Sequence, residues 1–151
     1  MKYEGCLLAV KNMAISKQFY VNILKQDAIL DLGTYVTFKG FNLLQGYAEF
    51  IGLPANTEKY DTRNFELYFE VDDLESVRKD LKKIKDLKWV HDLKEYPWGQ
   101  NVLRIYDPDM HIVEIAEGMD VVAKRFLKQG MSVEEVAERT MFPVEFVKQF
   151  V

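Results

Sequence analysis

Residues 65–74 read FELYFEVDDL, and the order of secondary structure is clearest in this stretch. Apolar and polar side chains alternate from Phe65 to Val71, which predicts a strand with one face against a core and the other open. Asp72 and Asp73 follow at once, and aspartate is a residue type that caps the N-terminus of a helix. The stretch therefore predicts a strand that leads directly into a helix.

The residues after this stretch complete one module. A helix is predicted over Asp73–Lys85, because apolar residues recur there at helical spacing. Its predicted buried stripe consists of Leu74, Val77, Leu81 and Ile84. Three strands are predicted next: Leu87–Leu93, Asn101–Tyr106 and His111–Ala116. Between the last two, Pro108 fixes its φ angle and Asp107 and Asp109 bond nearby backbone, which predicts a tight turn.

The segment before Phe65 repeats this order of elements. A strand is predicted over Gly5–Val10, and Asn12 is placed to cap a helix over Met13–Lys25. The predicted buried stripe of this helix consists of Ile15, Phe19 and Ile23. The predicted segments that follow are the strands Ala28–Leu32, Tyr35–Phe38 and Phe41–Tyr47 and the loop Gly52–Asn64.

The order β-α-β-β-β thus occurs twice in succession. Two such units predict an α+β fold, in which two βαβββ modules form a curved, cup-like mixed sheet with the helices on its outer face. Side chains that point away from the helices would then line a cleft. These side chains are the candidates for contact with a ligand.

Residues 119–151 predict a small helical appendage to a domain that spans residues 1–118. Three short helices are predicted, over Val121–Lys128, Val133–Arg139 and Pro143–Phe150. Ser132 and Glu135 have the spacing of a capping box. The helices are spaced as in a miniature helix-turn-helix, but the tail holds five basic and five acidic residues and lacks a basic reading helix. We therefore interpret it as a packing or dimer-contact module and expect no nucleic-acid partner.

The composition limits the class of protein. The 151 residues are 48% hydrophobic and 29% charged, as in an ordinary globular domain, and the net charge of −4 argues against a general nucleic-acid binder. The single cysteine, Cys6, excludes an internal disulfide and a multi-cysteine metal site, and we expect it to be buried and inert. No apolar run approaches about 20 residues, and MKYEGCLLAV does not have the pattern of a signal peptide. We expect a cytoplasmic protein with no membrane partner.

Several segments resemble one known superfamily, over residues 3–118. They are Val10-Lys11-Asn12 with Phe19-Tyr20 and Leu24, the strand FELYFEVDDL, and PWGQNVLRIYDPDMHIVEIAE at residues 97–117. With the doubled βαβββ order, they are similar to the glyoxalase/bleomycin-resistance/extradiol-dioxygenase (vicinal oxygen chelate) superfamily. The resemblance implies this fold and a range of chemistries, from glutathione-adduct lyases and ring-cleaving dioxygenases to drug-binding proteins. It also implies a divalent metal held by His, Gln or Glu side chains on inward-facing strand positions.

The resemblance places the metal-ligand positions on this sequence. They are Gly5, which carries no donor atom, Glu66, where a histidine is usual, Glu114, and a position near Leu44 or Gln45. Two carboxylates without a histidine are a poor site for Zn²⁺, Ni²⁺ or Fe²⁺, whereas Mg²⁺ or Mn²⁺ could use carboxylates and water. We therefore expect no complete metal site and no cofactor. The alternative is a divalent metal on Glu66 and Glu114, with Gln45 as a third donor.

Seven residues are the candidate ligand contacts: Leu7, Glu66, Tyr68, His91, Trp98, Arg104 and Glu114. Glu66 and Glu114 are also the candidate catalytic residues, since two carboxylates that approach each other without a metal can act as general acid and base. Arg104 has two interpretations, as a partner for a carboxylate of the ligand or for these glutamates. Trp98 either stacks on a flat ligand or closes the edge of the core.

His91 and His111 are the only histidines of the chain. We interpret His111 as a turn residue that donates to backbone. We interpret His91 as a hydrogen-bonded residue of the sheet, and the alternative is a hydrogen-bonding group or base in the cleft.

These residues favour a protein that binds a small molecule in the sheet cleft without a complete metal site. One alternative is a metal-dependent lyase or isomerase of the glyoxalase I type, acting on a small carbonyl compound or thiol adduct. The other is a ligand-sensing regulatory protein whose tail reports binding. We expect a homodimer, and relatives complete the cleft either within one chain or across two.

Overall fold

The structure, a computed structural model, describes all residues from Met1 to Val151 and contains two four-stranded sheets. The chain divides into two compact units. The first unit comprises residues 1–65 with 106–111, and the second unit comprises residues 66–105 with 112–151.

The first unit contains one sheet and two short α-helices. Its elements are β1 (Cys6–Val10), α1 (Met13–Gln18), a π-helical segment (Phe19–Ile23), β2 (Leu30–Asp31), β3 (Tyr35–Phe38), β4 (Phe41–Gln45) and α2 (Tyr47–Phe50). The strand order is β1-β4-β3-β2, with β1 parallel to β4 and the other pairs antiparallel. In the β1–β4 pair Leu8 lies opposite Leu43, and both side chains are buried in the core of this unit.

Three strand predictions in this unit were too long, the one over Gly5–Val10 by a single residue, since β1 begins at Cys6. The strand predicted to reach Tyr47 ends at Gln45, because Gly46 takes a φ angle of +78° and leads into α2. The strand predicted over Ala28–Leu32 is reduced to the two residues of β2, and both of these are exposed.

The buried face of the first helix also differs from the prediction. Phe19 of the predicted stripe is buried, but Ile15 is 55% exposed, whereas Met13, Ser16 and Tyr20 are buried at the spacing of one helical face. The prediction failed because Ser16 counts as polar, yet its hydroxyl is satisfied inside the unit by the Asp109 carboxylate at 2.7 Å. α-Helical geometry ends at Gln18, well before the predicted end, and a π-helical turn follows.

The predicted turn at Asp107-Pro108-Asp109 is confirmed, and it belongs to the first unit. Asp107 is buried and accepts from the Tyr20 hydroxyl at 2.8 Å and from His111 Nδ1 at 2.7 Å. Asp109, also buried, accepts from the backbone N–H of Lys11 at 2.9 Å as well as from Ser16. The prediction that His111 donates to backbone is wrong, since its ring binds a carboxylate.

The second unit contains the other sheet and the C-terminal helices. Its elements are β5 (Glu66–Val71), α3 (Leu74–Leu81), β6 (Trp89–Glu95), β7 (Asn101–Tyr106), β8 (Ile112–Glu117), α4 (Met119–Lys128), α5 (Val133–Thr140), α6 (Val144–Val147) and a 3₁₀ turn (Lys148–Phe150). The strand order is β5-β8-β7-β6, with β5 parallel to β8 and β6 antiparallel to β7. Leu67 lies opposite Val113, and both are buried.

Local signals explain most of these elements. Asp73 caps α3 by accepting from the Ser76 backbone N–H at 2.9 Å, as one of the two predicted caps. The Ser132–Glu135 capping box at the start of α5 is confirmed in both directions. α3 ends at Leu81 rather than at the predicted Lys85. β6 is displaced by two residues toward the C-terminus relative to its prediction, Leu87–Leu93.

The predicted fold class is confirmed: α+β, with two βαβββ modules and a C-terminal set of short helices. The tail helices pack around a small apolar cluster of their own, formed by Val122, Ala123, Phe126, Val136, Ala137 and Val147. No helix combines the length and the apolar character that a membrane crossing requires.

Candidate functional site

The polar face of the second sheet carries chemically active side chains from all four strands. They are Glu66 and Tyr68 on β5, Glu114 on β8, Arg104 on β7 and His91 on β6. Tyr68 lies opposite Glu114 and His91 opposite Arg104 in the strand register. Because neighbouring strands are about 4.8 Å apart, these side chains form one row across the sheet.

Arg104 is the centre of this row. Its Nε donates to Glu66 Oε2 at 2.8 Å, and its Nη2 is in direct contact with Glu114 Oε2. Its Nη1 donates to the Tyr96 hydroxyl and to His91 Nε2, the latter at 3.0 Å. Partial burial lowers the pKa of Arg104. The hydrogen bond and the negative charge of Glu66, and to a smaller extent Tyr96, raise this pKa by more, so that it lies above its usual value. The guanidinium therefore stays charged and binds both glutamates at once.

The contacts of His91 define its protonation state. A guanidinium only donates, so His91 Nε2 must accept from Arg104. His91 Nδ1 lies 2.7 Å from the carbonyl oxygen of Asp92, which only accepts, so this nitrogen carries the proton. His91 is thus a neutral imidazole, and its ring adds no charge to the row.

A second chain of hydrogen bonds borders the row. Trp98 Nε1 donates to Gln100 Oε1 at 2.9 Å, and Gln100 Nε2 donates to the Tyr68 hydroxyl at 3.1 Å. The Tyr68 hydroxyl in turn donates to Glu70 Oε1 at 2.7 Å. Burial, followed by the hydrogen bond to Glu70, raises the pKa of Tyr68 to about 12. This chain fixes the orientation of Trp98 relative to the sheet.

The aromatic rings of Tyr96 and Trp98 form an apolar surface beside the charges. Their ring centroids are 4.8 Å apart, and both side chains are half-buried. The Arg104 guanidinium lies 5.4 Å from the centroid of the Tyr96 ring. A planar group could therefore contact aromatic carbon and carboxylate oxygen at the same time.

The structure brings most of the predicted site residues together. Six of the seven candidate contacts lie in the second unit, whereas Leu7 lies on β1 of the first unit. Of the two interpretations of Arg104, the structure shows pairing with the glutamates. Cys6 was expected to be buried but is only half-buried, and its burial raises the pKa of its thiol.

Sequence reasoning missed Tyr96 and Gln100. Tyr96 lies beyond the predicted end of its strand, and β6 in fact continues to Glu95. Gln100 is buried, and it stands in the Trp98-Gly99-Gln100 segment that carries part of the resemblance. An amide between a turn glycine and a buried strand was the signal that could have identified it.

The predicted metal donors do not fit a divalent cation. Glu66 and Glu114 are both bound by Arg104, so a cation between them would lie against a guanidinium. Gln45 lies in the first unit, where its Oε1 accepts from the Met13 backbone N–H at 2.8 Å. No three His, Cys, Asp or Glu side chains of the chain form a group that could hold a metal ion.

Gly5, the remaining predicted metal position, is fixed by its backbone. Its φ angle is +128°, and a Cβ atom there would lie 2.4 Å from the carbonyl oxygen of Gly40. Only glycine fits this conformation and this close approach.

The first unit contains a cavity of about 420 Å³ below the loop predicted at Gly52–Asn64. It is lined by Val10, Lys11, Gln45, Gly46, Asn56, Glu58 and Tyr60. The Lys11 ammonium lies 4.2 Å from the centroid of the Tyr60 ring, and Glu58 Oε1 accepts from the Ala48 backbone N–H at 2.8 Å. This hydrogen bond lowers the pKa of Glu58.

Comparisons with known proteins place the chain among glyoxalase-like proteins. The family model of the glyoxalase-like domain matches residues 3–120. A protein of unknown function from Agrobacterium tumefaciens strain C58 is 33% identical, with 78% of this chain and 94% of that chain covered and a TM-score of 0.72. No curated protein matches the chain.

Two solved structures that carry an enzyme name are more distant. A lactoylglutathione lyase from Agrobacterium tumefaciens is 20% identical, with 76% of this chain and 92% of that chain covered and a TM-score of 0.57. A glyoxalase-related enzyme from Fulvimarina pelagi is 17% identical, with 78% of this chain and 89% of that chain covered and a TM-score of 0.64. At these identities the likeness shows a shared fold alone.

Proposed function

Because the chain belongs to the glyoxalase-like domain family, we propose that it binds a small molecule, and that this molecule is a planar or aromatic cation held on the polar face of the second sheet without a metal ion. The observation that carries the proposal is the pairing of one guanidinium with two carboxylates. Arg104 contacts both Glu66 and Glu114, and His91 is neutral. The row therefore carries one uncompensated negative charge.

The two carboxylates differ in accessibility. The Glu114 side chain is 9% exposed, and that of Glu66 is 39% exposed. A buried carboxylate needs its cationic partner, so Glu114 holds Arg104 in place. Glu66, at the solvent side, retains lone pairs that can accept from a ligand. We propose that Glu66 is the residue that contacts the cation.

The aromatic rings supply the second part of the recognition. Aromatic faces attract cations within about 6 Å of the ring centroid. The Tyr96 ring already has Arg104 at 5.4 Å and the Lys94 ammonium at 5.0 Å from its centroid, so we propose that the Trp98 ring takes the cation. An anion would instead meet the excess negative charge of the row. The proposed selectivity is thus for a cation over an anion of the same shape.

The test compares two planar ring compounds of similar shape and opposite charge, benzamidinium and benzoate, by isothermal titration calorimetry after dialysis against EDTA. We expect the cation to bind and benzoate not to bind. Glu66→Gln should weaken binding of the cation about tenfold, since it removes the accessible charge. Glu49→Gln, an exposed glutamate of the first unit, is the matched control and should bind as the parent protein does.

Three results would contradict the proposal. One is preferential binding of benzoate, and another is binding that EDTA abolishes and Zn²⁺ or Ni²⁺ restores, which would favour the metal-dependent lyase or isomerase. The third is unchanged binding of the cation in Glu66→Gln. The cavity of the first unit, with Lys11, Glu58 and Tyr60, would then be the next place to look for the ligand.

A further inference from the structure

We propose that the C-terminal tail is a positioning element for the candidate site, and that Arg125 and Phe126 of α4 act by holding the turn that carries Trp98 and Gln100. This turn joins β6 to β7. The family match ends at residue 120, so both α4 residues lie outside the matched domain. The tail is therefore an addition to the domain that contacts its site-bearing turn.

Phe126 lies against the backbone of the turn at Gly99. The φ angle of Gly99 is +83°, and a Cβ atom there would lie 2.3 Å from two ring atoms of Phe126. The ring therefore occupies the space in which any other residue would place its side chain. Since Phe126 also belongs to the apolar cluster of the tail, the turn and the tail share one packing contact.

Arg125 binds the turn from the same helix. Its Nη2 donates to the carbonyl oxygen of Gly99 and to Glu117 Oε2, the latter at 3.0 Å. Glu117 Oε2 also accepts from the backbone N–H of Asn101 at 3.0 Å. A single side chain thus joins α4 to the turn and, through Glu117, to the first residue of β7.

The turn carries the residues that form the edge of the site. Trp98 reaches Tyr68 through Gln100, and the Tyr96 hydroxyl accepts from Arg104. Arg125 and Phe126 touch none of the charged row itself, so they are positioning residues. Loss of their contacts frees the aromatic edge while the charge pairs of Arg104 remain.

This arrangement couples the tail to the site in both directions. If an ordered turn binds the ligand better than a loose one, loosening the tail weakens binding, and binding stabilises the tail by the same free energy. The coupling to a ligand depends on the proposed function, whereas the ordering of the turn does not. The two can therefore be tested separately.

The experiment uses Trp98 as the reporter in the full-length Trp89→Phe protein, which leaves one tryptophan. Acrylamide quenching of its fluorescence is measured without any ligand. Arg125→Gln should raise the quenching constant about twofold, because local opening of the turn exposes the ring. Lys124→Gln is the matched control, because this substitution removes the same charge from the same helix. The Lys124 ammonium donates to Asp120 of its own helix at 2.7 Å. Lys124→Gln should quench as the parent does.

Equal quenching of Arg125→Gln and Lys124→Gln, with helix content unchanged by circular dichroism, overturns the proposal. If Arg125→Gln loses helix content, Arg125→Met decides the question, because methionine keeps a high helix propensity but has no N–H to donate to the Gly99 carbonyl or to Glu117. Its quenching must also rise, or the proposal is wrong. Failure of cation binding in the parent protein would overturn the proposed function and leave this result standing.

Discussion

The two units each contain a polar network, and the networks differ in how completely their charges are satisfied. In the first unit the closed network consists of Tyr20, Asp107, Asp109, His111 and Ser16. In the second unit the open network consists of Arg104, Glu66, Glu114, His91 and Tyr96. The closed network is buried and fills every carboxylate oxygen with a donor from its own unit. The open network leaves Glu66 half-exposed, and its two carboxylates share one guanidinium.

The difference corresponds to two roles of polar networks, one structural and one in binding. A fully satisfied network stabilises one arrangement of the chain, as the closed network does for the turn between β7 and β8. A network that keeps free acceptor atoms on an accessible face can still bind a ligand. The comparison predicts that substitutions in the closed network affect stability most, whereas substitution of the accessible Glu66 in the open network affects binding with little effect on stability.

The largest effect is expected for Asp107→Ala. The substitution leaves the Tyr20 hydroxyl and the His111 ring without their acceptor in a buried place, which should lower the free energy of unfolding by about 3–5 kcal/mol. Urea unfolding of Asp107→Ala and the parent protein measures this change in free energy. Asp27→Ala, an exposed aspartate of the same unit, should change stability by less than about 0.5 kcal/mol. Equal effects of the two would erase the distinction between the networks.

A smaller effect is expected within the open network. Glu114→Gln should destabilise the protein by about 1–3 kcal/mol, because Glu114 is buried against Arg104. Glu66→Gln should cost less than about 1 kcal/mol, since an exposed ion pair contributes little. Thermal and urea unfolding of both variants test this order. The reverse order would mean that Glu66 is the structural partner and Glu114 the accessible one.

The smallest expected effect is the loss of stability at high pH through ionisation of Tyr20 and Tyr68. Burial and Asp107 raise the pKa of Tyr20 well above its usual value, and burial and Glu70 raise the pKa of Tyr68 to about 12. Each folded-state pKa lies above the unfolded one, so this stability is present below about pH 10 and is lost as pH rises. Absorbance at 295 nm follows the ionisation.

We expect Tyr68→Phe to remove one tyrosinate that forms near pH 12 in the folded protein. Tyr20→Phe should remove none before unfolding, because Tyr20 belongs to the closed network. Tyrosinate formation by Tyr20 in folded protein would show that the closed network opens.

The pattern of the sequence predicted which face each strand residue occupies, because alternation has a fixed period of two. Alternation placed Glu66, Tyr68 and Glu114 on one face. Pattern does not define partners, so the two interpretations of Arg104 were separated only by the structure. The face of α1 was mispredicted, because the acceptor of Ser16 lies 93 residues away.

The contact between Gly99 and Phe126 was beyond sequence reasoning for a similar reason. Each residue fits its local element, a turn glycine and an apolar helix position. Only tertiary packing shows that the missing side chain of Gly99 leaves room for the Phe126 ring. Likewise Tyr96 was missed, since strand ends are set by neighbouring strands as much as by local alternation.

The conformation of Gly5 has a consequence for anyone who would build a metal centre into this chain. Introducing histidine or glutamate at this position requires β1 to move away from Gly40, since the space for a side chain is taken by a carbonyl group. A point substitution would therefore supply the donor only at the expense of the strand pairing that follows at Cys6 and Phe41. A metal-binding variant of this chain therefore needs a change of the backbone at Gly5 before a donor side chain can be introduced there.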